Sequence, residues 1–195
     1  MKVPLRYQVT EFDCGTISLL NVLSYLYERN EIPAELVKAI HRYTLDCYDE
    51  KGNLGQGGTS REAIKRLTHW IENYTNNHCF KIKCRRLVQD KITLDIIKEC
   101  LNNNGCIFLR CWQSCEHYVI ITKIDKKYAY IFDSYYLDKK EYDKDNEVKI
   151  ILNKPFTHNR KVTIKRLFSE NKKDFSMGKV ENRECVLFNR ILEKE

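Results

Sequence analysis

Glycine and proline are scarce in this sequence, seven and three residues among 195. That scarcity excludes collagen-like repeats and Pro/Gly-rich disorder. Long apolar runs are missing as well. Val119–Thr122 with Ile124 is far too short to cross a bilayer. No basic-then-apolar stretch precedes a small-residue cleavage site at the N-terminus, so no secretory signal is read and a cytoplasmic location is expected. What is present is ordinary for a globular chain: 43% hydrophobic and 31% charged residues, at a length that suits one domain over residues 1–195.

Lys and Arg exceed Asp and Glu by seven. A solvated surface of mixed charge accounts for that excess. The densest basic stretch, residues 154–173, holds seven Lys/Arg against Glu170. It lacks the interleaved aromatics of an RNA-binding platform, so no nucleic acid partner is expected. The nine cysteines are odd in number and follow no secretory signal, which argues against a disulfide framework. Cys79/Cys84 and Cys111/Cys115 are spaced more widely than a C-x2-C zinc knuckle, and no paired His motif follows. No metal is expected, and most of these thiols should pack as small hydrophobes.

Along the chain, helices come first and strands second. Cys14–Gly15–Thr16 opens a run to Tyr27 that is apolar nearly all round, the pattern of a buried helix. Pro33 leads a helix over 34–46. Residues 49–58 hold four of the seven glycines and read as a loop. Thr59 or Ser60 caps a helix from Arg61 to about Tyr74, and Thr59 with Glu62 resembles a capping box. A strand is expected at 80–86 and a Thr93-capped helix at 94–102. A β-hairpin of 118–124 and 128–133 turns at 125–127, and further strands are expected at 106–112, 148–152, 162–167 and 184–191. Residues 138–149 are charged and read as a surface loop. The order implies an α+β fold, with helices on one side of an antiparallel sheet.

Cys14 stands where the buried helix begins. Free N–H groups and the positive end of the helix dipole stabilise a thiolate there. Gly15 permits close approach of a substrate. A nucleophilic cysteine needs a base, and His117 is the best placed of five histidines, at the entrance of the strand YVIIT. Counting from the turn, residue 117 pairs near 135, which brings Asp133 onto the same face and within reach of the imidazole. The Cys14 N–H is one oxyanion donor, and Gln8 could supply a side-chain amide. Asp13 reads as the helix cap rather than a catalytic group. Gly58, Trp112 and Gln113 are expected to flank a substrate groove.

These residues resemble a known signature. Gln8-V-T-E-F-Asp13-Cys14-Gly15 is similar to the Q-x4-D-C-G motif of the C39 peptidases, papain-like domains that cleave leader peptides from bacteriocin precursors. The similarity extends through LLNVL after the cysteine, Gly58-Thr59-Ser60 before a helix, and IFLRCWQSCEHYVIITKIDKKYAYIFD. It covers roughly residues 5–136. The resemblance implies a papain-like fold and bacterial proteolysis of a peptide or protein substrate. It makes Cys14 the nucleophile, His117 the general acid/base, Asp133 its orienting group and Gln8 a member of the oxyanion hole, with no metal or organic cofactor. Three features depart from the family. No membrane spans or ATPase accompany the domain, Asp133-Ser134 replaces the common Asp-Pro, and residues 137–195 form a divergent extension that should complete the sheet. The same Cys–His pair would serve a papain-like acyltransferase or amidase, and a catalytically idle peptide-binding module is a further alternative.

Overall fold

The computed structural model describes residues 1–191; the last four residues of the expected domain, 192–195, lie outside the described residues. Its centre is a seven-stranded sheet in the order β1-β7-β2-β3-β4-β6-β5. The strands are β1 (Ile82–Val88), β2 (Gly105–Gln113), β3 (Cys115–Ile124), β4 (Tyr128–Phe132), β5 (Val148–Ile150), β6 (Arg160–Thr163) and β7 (Glu184–Arg190). Every pairing is antiparallel. The last strand therefore lies inside the sheet, between β1 and β2, and not at its edge.

Helices cover both faces, where the sequence predicts one. On the first face α1 (Cys14–Leu26), α2 (Ala34–Tyr43) and α3 (Arg61–Asn77) bury Leu19, Leu23, Ile40 and Ile64 against Phe108, Ile120, Phe132 and Val186. On the second, α4 (Leu94–Asn102) brings Ile97 and Cys100, and α5 (Ile164–Leu167) brings Leu167, against Ile107, Val119, Ile131 and Leu187. The alternation of strand side chains feeds both cores, so β2 and β3 read as near-continuous apolar runs. Such strands need cover on both sides, and α4 supplies the second.

Several local expectations need correction. The second helix ends at Tyr43, where Thr44 turns extended and its hydroxyl donates to the Ile40 carbonyl. Ser60, not Thr59, caps α3, its hydroxyl accepting the Ala63 N–H at 3.0 Å, while Thr59 Oγ1 accepts from Leu45 N–H. Residues 164–167 form a helical turn rather than the end of a strand, because Thr163 Oγ1 accepts the Arg166 N–H and caps it. No described helix is long and apolar enough to cross a membrane.

Candidate active site

α1 is tied to the centre of the sheet by polar side chains on its buried faces. Ser18 donates to the Tyr118 carbonyl at 2.9 Å, fastening the helix of Cys14 to the strand of His117. Asn21 exchanges two hydrogen bonds with the backbone of Arg6, at 2.7 and 2.9 Å, fixing the segment that leads into the helix. Gly15 is required by packing: a Cβ there would stand 2.8 Å from Thr59 Oγ1. Its bare backbone lets α1 approach the loop before α3, and Gly15 does not line the cleft described below.

Asp13 occupies the cap position of α1 but makes no side-chain hydrogen bond to the helix. Its carboxylate accepts instead from the Thr10 hydroxyl at 2.7 Å and the Thr10 N–H at 3.3 Å. The nearby Thr10 donors outcompete the helix, so the first N–H groups of α1 are left without a side-chain acceptor from Asp13.

His117 and Asp133 meet in the interior. Nε2 of His117 lies 2.7 Å from Asp133 Oδ1, and both side chains are almost wholly shielded from solvent. The β3–β4 pairing reaches Ile120↔Phe132, one residue short of Asp133, after a register shift between Ile121 and Lys123 that a regular count from the turn does not anticipate. With Asp133 ionised, Nε2 donates and Nδ1 is the ring nitrogen left for Cys14, which also acts on this imidazole. Burial opposes charge on the ring, but the Asp133 carboxylate and Cys14 outweigh it and raise His117 from 6.5 to about 10. Burial likewise opposes charge on Asp133, yet His117 and Arg160 hold its carboxyl below the ordinary range.

Asp133 itself is held by residues that the sequence reading passed over. Asn159 brackets its backbone, Oδ1 accepting Asp133 N–H at 2.8 Å and Nδ2 donating to the Asp133 carbonyl at 2.7 Å. Arg160, fully buried, places Nη2 3.4 Å from Asp133 Oδ2 and donates to the Tyr135 carbonyl at 2.7 Å. The Tyr135 N–H donates to Asp133 Oδ1 at 2.9 Å.

Gln8 sits beside this corner. Its N–H donates to the Ser134 carbonyl at 2.9 Å, Ser134 Oγ donates to its Oε1 at 2.8 Å, and its Nε2 donates to the Thr10 carbonyl at 2.8 Å. Ser134 thus supplies a hydroxyl that orients Gln8. One amide hydrogen of Gln8 remains for another acceptor.

A cleft of about 620 Å3 is lined by Cys14 and His117, whereas Gln8 and Asp133 do not line it. Phe12, Glu116, Gly57 and Gly58 line it as well. Gly58 has φ +78°, a conformation in which a side chain is strained. Gly57 lets the loop fold back on itself, since a Cβ would stand 2.6 Å from the Tyr48 carbonyl oxygen. Trp112 lines a separate cavity with Lys172, whose ammonium lies 4.3 Å from the indole centre. Gln113 does not line the cleft either, and its Oε1 is buried without a hydrogen bond. His69 bonds to Asn73, His78 to the Tyr74 carbonyl, and His158 packs on Tyr130.

Cys14 is buried, and Cys47 and Cys115 line the same cleft. Burial pushes Cys84 up to about 12 and Cys100 up to about 11, and raises Cys106, Cys111 and Cys185 as well. Among the described residues, no cluster of three His, Cys, Asp or Glu is grouped as a metal site requires. No protein-family model matches this chain, and no curated protein matches it.

Proposed function

We propose that the chain is a papain-like, C39-like cysteine peptidase acting on a peptide or protein substrate. The observation that carries this reading is the buried 2.7 Å contact between His117 Nε2 and Asp133, which leaves Nδ1 for Cys14 at the start of α1, in the lining of an open cleft. Cys14 Sγ attacks the scissile carbonyl as a thiolate. His117 holds the proton at Nδ1 and delivers it to the leaving amine, and Asp133 fixes the ring through Nε2. The uncapped N–H of Cys14 and the spare amide hydrogen of Gln8 are the donors for the tetrahedral oxyanion. Water then takes the place of the amine, His117 accepts its proton, and the acyl–sulfur bond breaks. The ordered motif around Gln8, Cys14, His117 and Asp133 supports the same assignment.

The test is iodoacetamide alkylation of each cysteine against pH, read by peptide mass spectrometry. Cys14 is expected to react well below the free-thiol range of about 8.5, and to lose that advantage in His117→Ala. The buried thiols serve as internal controls. A Cys14 that reacts no faster than a model thiol sinks the proposal, as does proteolysis that survives Cys14→Ala.

A further inference from the structure

Away from the cleft, cross-strand register assembles a feature that no stretch of sequence contains. Lys123 on β3 is opposite Tyr130 on β4, Tyr130 is opposite Lys161 on β6, and Lys161 is opposite Lys149 on β5. Directly opposed residues share a face, so these four side chains form one row across four strands. The row lies on the face of Phe132 and Tyr128, beyond the helices, and Lys123 and Lys149 are exposed.

The lysines converge rather than disperse. The Lys161 ammonium lies 4.2 Å from the Tyr128 ring centre and 5.4 Å from that of Tyr130. Lys123 approaches Tyr130 at 5.5 Å, and Lys127 approaches Tyr128 at 5.3 Å. His158 packs edge-on against Tyr130, and burial together with Lys154, Lys123 and Lys161 pushes its pKa down. Lysines directly opposed, as at 149 and 161, cost stability. Asp125 lies beside Tyr130, and its carboxylate is occupied by the N–H groups of Lys127 and Tyr128 and by the Tyr130 hydroxyl. Glu147, next to the row, is bound to Arg166 at 3.1 Å.

We propose that this lysine row is a docking surface for an acidic polypeptide segment. A partner's carboxylates would relieve the opposed ammonium groups, which are compact point charges. Base stacking is the poorer fit, because lysines already stand over the rings that single-stranded nucleic acid would need free. The choice of polypeptide among polyanions rests on the peptidase reading of the cleft. Lys123 follows His117 by six residues on β3, about 20 Å along the strand. An acidic stretch on a substrate would therefore bind some way from the bond being cut.

The test is fluorescence anisotropy of the whole chain with a labelled oligo-glutamate peptide at low and physiological salt. A glutamine peptide, oligo-uridylate and vesicles of anionic lipid are the comparisons. The glutamate peptide is expected to bind, and about tenfold more weakly to the Lys123→Gln/Lys149→Gln/Lys161→Gln variant. Equal binding by that variant, no binding, or binding of oligo-uridylate or vesicles in preference to the peptide overturns the proposal. A second readout avoids reliance on the variant: in the unsubstituted protein, bound glutamate peptide should raise the midpoint of His158 titration by NMR, and an unmoved midpoint overturns the proposal too. Cys14 alkylation on the same samples tests the peptidase reading separately, since the lysine row can hold or fail whatever the thiol does.

Discussion

The two walls of the cleft are built on different terms. The wall with His117, backed by Asp133, is buried and is held by long-range partners: Asn159 and Arg160 reach Asp133 from 26 and 27 residues away. The glycine-rich wall, residues 45–58, is held mostly by short-range bonds. Gly55 N–H donates to the Cys47 carbonyl at 2.7 Å, and Asp49 accepts from the N–H groups of Lys51 and Asn53. Tyr48 and Leu54 on that wall are exposed. A general base must keep its orientation to a fraction of an ångström. A wall that meets varied side chains gains from yielding, and local hydrogen bonds in an exposed loop open at low cost.

Substitution should separate the walls most sharply at Asp133. Asp133→Ala strands Arg160 as an unpaired buried charge, at an expected cost of about 3–5 kcal/mol in urea unfolding. Equal costs for Asp133→Ala and Gly58→Ala would erase the distinction. Asn159→Ala removes both partners of the Asp133 backbone, and about 2 kcal/mol should be lost. Alkylation of Cys14 should slow as well, since the change acts through the orientation of His117. An alkylation rate unaltered in Asn159→Ala would make Asn159 structural only.

The base wall should also carry a pH signature. The folded His117 pKa, about 10, lies above its ordinary 6.5. Its contribution to stability is fully present below 6.5 and is lost as pH rises toward 10. Asp133 has the opposite sign: its folded pKa is depressed, so its contribution is present above the ordinary 3.8 and is lost as pH falls through the folded value. Urea midpoints measured across this range should show both slopes, and His117→Gln should flatten the alkaline one. The smallest effect is expected on the glycine wall. Gly58→Ala should cost about 1 kcal/mol, and should raise KM for any peptide substrate more than it lowers kcat.

What the sequence revealed follows the range of the interactions involved. The hairpin that joins His117 to Asp133 was readable because turn, strand and partner lie within seventeen residues. α1 was readable because its run is apolar nearly all round, and eleven of its residues are buried. Asn159 and Arg160 were not, since nothing near them points to a carboxylate on another strand. Trp112 and Gln113 were placed at the groove by proximity to His117 in sequence. Trp112 instead faces the cavity under Lys172. The aromatic interleaving absent from residues 154–173 is supplied by Tyr128 and Tyr130 across β4 and β6, a juxtaposition that only the sheet creates.

The central position of β7 sets an order of events during synthesis. β1 joins the sheet through β7 alone, and β7 is also the neighbour of β2. While the ribosome is still adding residues before Glu184, β1 and the α3 helix packed on it have no ladder to close against. Arg160, the buried partner of Asp133, also arrives late. A nascent chain can present Cys14 early, but the base wall is finished only once Asn159 and Arg160 have been made, and β1 closes onto the sheet only after β7.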